Sequence, residues 1–181
     1  MNIKKTTVFG ALIMAAGAAF VATNASAADG LINFEGEITG QTCTINGGTG
    51  QNFTVTLPKV SGNSLATAGS WAGRTAFNIR LSDCDPAVGP VAVYFEPGAE
   101  TDAATGRLNV DRGPGLATNV QVALLNSDAT DIRVGSAQHN SKSSNLVAGA
   151  ATLNYYAQYY SLGSATAGNV RTRVNYTIVY Q

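Results

Sequence analysis

Apolar and polar residues alternate along much of the chain beyond residue 28, and this period of two is typical of β-strands. The segments that alternate, or that are rich in β-branched and aromatic residues, are 31–38, 43–45, 53–57, 75–81, 91–95, 120–125, 153–160 and 170–180. Clusters of Gly, Asn, Asp and Pro separate them, and none spaces its apolar residues as an amphipathic helix would. Many short strands joined by turns predict an all-β fold, an antiparallel sandwich rather than a parallel sheet.

The first 27 residues follow a different pattern. Lys4 and Lys5 precede an apolar run at 8–21, and the small residues of Ala25-Ser26-Ala27 come after it. This order is typical of a secretory signal peptide, and the run is shorter than the about 20 residues that span a bilayer. We therefore expect residues 1–27 to be removed during export and Ala28 to begin the mature chain.

Charge and side-chain chemistry exclude several classes of function. Without Lys4 and Lys5, nine of the 11 basic residues remain against 11 acidic ones, so the net charge is near −2 and no nucleic-acid partner is expected. The single histidine, His139, lies in a polar run, and none of the usual spacings of a catalytic triad or a zinc site occurs. The sequence predicts no catalytic residue, no metal site and no cofactor, and therefore no enzyme.

Cys43 and Cys84 are the two cysteines of the chain. Secretion places them in an oxidising compartment, which favours a disulfide over a metal site. The closed loop would span 41 positions (84 minus 43). The chain-entropy model gives such a loop roughly 4 kcal/mol of stabilisation at most.

The segment 31–44 is too long to be one strand of a sandwich. Its 14 residues would extend roughly 46 Å at about 3.3 Å each, whereas strands seldom exceed about 10 residues. Ile32, Phe34 and Ile38 share one face at even positions, but Cys43 and Ile45 are odd, and a strand changes face only at a bulge or break. We therefore expect an N-terminal arm over residues 28–38 and a domain over residues 39–181.

The arm has one apolar face and no hairpin partner next to it in the sequence. The residues of that face are Gly30, Ile32, Phe34, Gly36 and Ile38. A glycine in such a row weakens a free strand but lets its backbone lie close to a crowded surface. These features favour an arm that binds in a groove, and the alternative is a first edge strand of its own domain.

The last predicted strand also has an apolar face at even positions. Its residues are Val174, Tyr176, Ile178 and Tyr180, and Gln181 ends the chain. Because termini normally fray, a bulky tyrosine at the penultimate position is expected to be packed or to be recognised by a partner. Core packing alone would also explain it.

Two aromatic features have alternative explanations. Tyr155, Tyr156, Tyr159 and Tyr160 are expected to pack in the core or between subunits, and a sugar-binding platform is the alternative. Trp71 is expected in a loop between Gly69 and Gly73, unlike the tryptophan packed between the sheets of an antibody domain. The sandwich is therefore expected to be only loosely immunoglobulin-like.

Several stretches, taken in order, resemble the pilins of chaperone–usher fimbriae, above all the type 1 major-subunit group. They are ADGLINFEGEITGQTC, TAFNIRLSDCD, VQVALLNSDATDIRVG and YYAQYYSLGSATAGNVRTRVNYTIVYQ, with the penultimate tyrosine in place. The resemblance covers essentially the whole mature chain. It implies an incomplete immunoglobulin-like sandwich, with an apolar groove between its first and last strands that a neighbouring subunit's donor strand completes.

The resemblance also implies residue roles, partners and location. The apolar row of the arm would be the donor strand, and the C-terminal set Val174, Tyr176, Ile178, Tyr180 and Gln181 would be recognised by a periplasmic chaperone. The other implied partners are identical or related pilin subunits, an outer-membrane usher and a tip adhesin carried by the fibre. The function would be that of a structural subunit exported through the periplasm, which polymerises by donor-strand exchange into an adhesive surface fimbria. The alternative is a minor tip or adaptor subunit, or a small adhesin that binds host glycans.

Overall fold

The computed structural model describes residues 32–33, 40, 42–46, 51–136 and 141–181. The chain divides into two compact units, Met1–Ile38 and Thr39–Gln181. In the first unit Ile32 and Asn33 are described, and both side chains are exposed. Every strand described below belongs to the second unit. Across the described ranges, no helix has the length and apolar character needed to cross a membrane.

The second unit is built from β-strands. A 3-10 turn, Gly62–Leu65, lies before the second strand, and no α-helix occurs in the described ranges. The strands are β1 Thr42–Ile45, β2 Trp71–Asp85, β3 Gly89–Glu96, β4 Leu108–Asn109, β5 Val120–Asn126, β6 Asp131–Ile132, β7 Ser144–Leu146, β8 Ala151–Ser161 and β9 Asn175–Tyr180. The all-β prediction is confirmed.

The strands form two antiparallel sheets. In the first sheet the order is β1-β2-β8-β5-β4, with β6 also paired to β5, and in the second it is β7-β3-β9. Every ladder between these strands is antiparallel. The predicted antiparallel sandwich is therefore confirmed.

The core lies between the two sheets. Ile79 from the first sheet and Val91 and Val93 from the second are fully buried in one cluster. Burying a side chain of this size contributes about 1.5–3 kcal/mol. The cluster therefore holds the two sheets face to face.

A disulfide joins Cys43 in β1 to Cys84 near the end of β2, with the two Cα atoms 4.1 Å apart. Thr42 lies opposite Asp85 in the ladder between these strands. The pairing predicted from the cysteine count is confirmed. It ties the first strand of the domain to its longest strand.

The prediction for Trp71 was wrong, because Trp71 begins β2 and lies opposite Tyr160 rather than in a loop. The ladder between β2 and β8 shifts register between Ala72 and Thr75, where Gly73 has a φ of 66°. A β-bulge at a glycine lets a strand continue past an irregular residue. The indole is 52% exposed and so does not pack between the sheets.

The observed strands extend beyond the predicted segments 75–81, 91–95 and 153–160, and two other predicted segments differ more strongly. Within the described ranges, 53–57 belongs to no ladder, and the last strand begins at Asn175 rather than at 170. Partly buried and exposed residues nevertheless alternate over 54–57 and over 170–174. Val55, Leu57, Val170 and Val174 therefore pack against the core cluster, although no described strand pairs with the backbone of 53–57 or of 170–174.

Candidate functional site

A groove of about 740 Å³ opens beside these two segments. Segment 51–57 lines one side of it and segment 170–176 the other. The residues of its floor come from both sheets and include Phe77, Ile79, Phe95, Leu108, Val122 and Leu124. Most of these side chains belong to the buried core cluster, so the groove reaches into the interior of the sandwich.

The first wall is segment 51–57. Val55 and Leu57 are partly buried against the core cluster, while Thr54 and Thr56 are exposed. In the described part of the chain, residues 52–57 make no backbone hydrogen bond to another residue's backbone. The side chains of this wall therefore alternate as in a β-strand, but its backbone is not paired with any described strand.

The second wall is segment 170–176, which ends with the first two residues of β9. One edge of β9 pairs with β3, from Asn175 opposite Glu96 to Tyr180 opposite Val91. Among the described strands, none pairs with its other edge. Unpaired backbone groups on such an edge are a template for another strand.

The predicted C-terminal residues lie in β9 or next to it, and two of them, Val174 and Tyr176, line the groove. Val174, Tyr176, Ile178 and Tyr180 are partly buried and pack against the core cluster. Burial raises the pKa of the phenols of Tyr176 and Tyr180. The exposed Gln181 donates its backbone N–H to the carbonyl of Pro90 at 3.0 Å, which fixes the end of the chain beside β3.

One side chain joins the two walls. Tyr176 Oη donates a hydrogen bond to the carbonyl oxygen of Gln51 at 2.7 Å. The ring of Tyr176 also makes an edge contact with Phe53, with centroids 6.2 Å apart and planes at 62°. Phe53 in turn contacts Phe77 on the floor, again with centroids 6.2 Å apart.

The structure gives less information about the arm. Ile32 is 76% exposed. Gly30, Phe34, Gly36 and Ile38 lie outside the described residues, and so does His139. The role of the arm as a donor strand therefore remains a prediction.

Sequence reasoning missed how Gln51 and Phe53 contribute to the site. The alternation over 53–57 indicated a strand, and the resemblance implied a groove beside the first strand, but no residue of this wall was named. The signal was the apolar spacing of Phe53, Val55 and Leu57. The bond from Tyr176 to a main-chain carbonyl has no signature in the sequence.

The four tyrosines of β8 do not form one platform. Tyr155 is 2% exposed and Tyr159 packs against a second core cluster, so the prediction of core packing is correct for these two. Tyr156 alternates with them and lies on the outer face of the sheet, 5.9 Å from the guanidinium of Arg74. In the described ranges, no three His, Cys, Asp or Glu side chains are placed to hold a metal ion.

Comparison with known proteins finds fimbrial proteins both among family models and among individual relatives. The family described as type-1 fimbrial protein, A, matches residues 57–181. The major fimbrial subunit SMF-1 of Stenotrophomonas maltophilia is 48% identical over 162 residues, which cover 86% of this chain and 95% of that protein. The F17 fimbrial protein of Escherichia coli is 46% identical over 160 residues, which cover 84% and 88%.

Solved structures show the same fold. A chaperone–usher pilus structure superimposes with a TM-score of 0.61 at 18% identity, covering 85% of this chain and 96% of that chain. The P pilus rod subunit PapA gives a TM-score of 0.59 at 19% identity, covering 77% and 99%. These likenesses identify the sandwich as the immunoglobulin-like pilin fold.

Proposed function

The chain belongs to the family of type-1 fimbrial A-chain proteins, and on that premise we propose that the groove beside β9 accepts the arm, residues 28–38, of another copy. The protein is a structural subunit of a fimbria on the cell surface, and its partners in the fibre are other pilin subunits. The observation that carries the proposal is an edge of β9 that no described strand pairs with, and a facing wall that likewise has no ladder among the described residues, with an apolar floor between them.

The chemistry of such binding is β-strand addition. A strand that lies between the two walls can form main-chain hydrogen bonds with both, and every second side chain of it can pack against the apolar residues of the floor. Neighbouring strands lie about 4.8 Å apart, so one added strand bridges walls about 9.5 Å apart. The exposed backbone of β9 and of segment 52–57 supplies the bonding groups on the two sides.

In the arm, Ile32, Phe34 and Ile38 would provide most of the burial. Each large apolar side chain contributes about 1.5–3 kcal/mol on transfer from water, whereas Gly30 and Gly36 add little. Each copy would insert its arm into the next. Such a head-to-tail contact does not close on itself and produces an open filament.

Before assembly, the groove would need a temporary occupant, because an unpaired edge beside apolar surface promotes aggregation. A periplasmic chaperone that donates its own strand would meet this need. Its contacts would be the residues of the β9 wall and the chain end, which are Val174, Tyr176, Ile178, Tyr180 and Gln181. An outer-membrane usher would then exchange the chaperone for the next arm, and the finished fibre would carry a tip adhesin.

The proposed route of the chain to the cell surface begins with its N-terminal segment. Residues 1–27 would direct the chain into the periplasm and be removed, leaving the arm at the new N-terminus and the pilin domain at 39–181. The matching relatives are structural fimbrial subunits. The role proposed for this chain is likewise mechanical and not catalytic.

The test is the behaviour of surface fibres in detergent. Fibres purified from cells that express the chain, and not from cells without it, should give a ladder of subunit multiples when unboiled. Boiling should reduce the ladder to the monomer, because only non-covalent strand insertion joins the subunits. A monomer under both conditions would contradict the proposal.

A further inference from the structure

We propose that Tyr176 and Phe53 form a clasp across the groove, which an incoming strand must open and which therefore limits the rate of strand entry. This inference rests on the proposed strand-accepting function. It concerns how the groove is filled and assigns a role to two side chains that the fold alone does not require.

The clasp is the point at which the two walls are joined. Tyr176 extends from β9 and bonds the main-chain carbonyl of Gln51 at 2.7 Å. Its ring edge lies against Phe53 from the same wall as Gln51. All three residues line the groove.

The wall at 52–57 depends on this link because it has little else to hold its backbone. In the described part of the chain, its residues make no main-chain bond to the backbone of a strand. Val55 and Leu57 anchor the far part of the wall through their side chains, whereas Gln51 and Phe53 are exposed. The Gln51 end is therefore held chiefly by Tyr176 and by the contact of Phe53 with Phe77.

Strand entry conflicts with the clasp at the carbonyl of Gln51. A strand added to this wall takes its hydrogen bonds from the wall's main-chain groups, and the hydroxyl of Tyr176 already occupies this carbonyl. The bond lies where water can reach it, so water can replace either partner as it opens. A contact of this kind is strong enough to delay entry and weak enough to open without unfolding the domain.

The association rate should change by the amount that corresponds to the loss of a single exposed hydrogen bond. Tyr176→Phe keeps the ring and its contact with Phe53 but removes the hydroxyl. Loss of one such bond should raise the rate of strand entry about fivefold. The rate at which a bound strand leaves should stay the same, because the bond is already absent once the strand is in place.

The experiment uses the full chain, refolded with its disulfide intact and kept dilute, and a fluorescent peptide with the sequence of residues 28–38. Polarisation gives the association rate, and competition with unlabelled peptide gives the dissociation rate. The matched control is Tyr156→Phe, the same chemical change on the outer face of the sheet, which should alter neither rate. Phe53→Leu is a second variant that weakens the ring contact and should also speed association.

The outcomes separate the two proposals. Faster association of Tyr176→Phe and Phe53→Leu, with unchanged dissociation, supports the clasp. Peptide that binds the original chain and both variants at equal rates overturns the clasp and leaves the strand-accepting groove in place. Peptide that binds none of the folded proteins overturns the proposed function and the clasp with it.

Discussion

Tyr180 lies directly opposite Val91 in the ladder between β9 and β3, one residue before the chain ends. The backbone N–H of Gln181 extends the contact to the carbonyl of Pro90. The terminus is therefore part of the same sheet as the first residues of β9, which line the groove.

Deletion of Tyr180 and Gln181 should remove the subunit from the periplasm. It shortens β9, exposes Val91 and deletes the proposed chaperone contact at the chain end. Immunoblots of periplasmic fractions measure the effect, with Gln181→Ala as a control that keeps the backbone bond to Pro90. An undiminished complex of the shortened chain with its chaperone would count against the assignment.

Phe34→Asp should abolish fibres while leaving the subunit soluble with its chaperone. A charged carboxylate cannot enter an apolar groove without a partner, because its desolvation is too costly. Asn33→Asp adds the same charge on the other face of the arm and should still give fibres. Electron microscopy of the cell surface compares the two, and fibres of normal length from Phe34→Asp would refute the donor role of the arm.

Replacing Cys43 and Cys84 together by serine should lower the free energy of unfolding. The disulfide closes a loop of 41 positions, and its loss is expected to cost up to about 4 kcal/mol through the entropy of the unfolded chain. Denaturant titration measures the change, and the reduced original protein should match the double variant. Equal midpoints for the oxidised protein and the variant would show that the bond contributes little.

Gly73→Ala should destabilise the domain at the bulge of β2. The residue has a positive φ, and a Cβ atom there would lie 3.0 Å from Cδ2 of Tyr159 and 3.2 Å from Cγ1 of Val60. Gly115→Ala is a matched control, with a similar φ of 74° and no neighbour within 4 Å. We expect a loss of about 1–3 kcal/mol at Gly73, and a smaller loss at Gly115 in the same thermal unfolding measurements.

Tyr155 should make the domain less stable at alkaline pH. Burial raises the pKa of its phenol above 10.0, although its hydrogen bond with Ser141 Oγ acts in the opposite direction. The folded state therefore favours the protonated phenol, and this contribution is fully present below pH 10 and is lost as the pH rises through the folded-state value. The fall in unfolding free energy between pH 9 and 11 should be smaller in Tyr155→Phe, and an equal fall would contradict the prediction.

The sequence predicted the sandwich and the disulfide because each rests on a local pattern. Alternation over 75–81 and 91–95 identified the buried faces of β2 and β3, since burial on one face of a strand repeats every second residue. The even face from Val174 to Tyr180 likewise identified side chains that pack against the core, and Val174 and Tyr176 among them line the groove. The pairing of Cys43 with Cys84 followed from there being only two cysteines.

The features of the fold that the sequence did not predict depend on contacts between residues that are distant in the chain. The strands β4, β6 and β7 have two or three residues, too few to show a period. Glycines on both sides of Trp71 suggested a loop, whereas Gly73 forms a bulge that keeps Trp71 in the ladder. The pattern at 53–57 indicated alternate burial correctly but could not show whether a strand lies beside it.

The disulfide between Cys43 and Cys84 also determines how the domain would respond to tension. In a fibre joined by arms, a pulling force would enter each domain through Thr42, the residue before Cys43. A covalent link at this point passes the force into β2, which has 15 residues and is paired with β8 along most of its length. The short β1 would then not peel away one hydrogen bond at a time, and the load would instead act in shear along the ladder between β2 and β8, the longest in the described part of the chain.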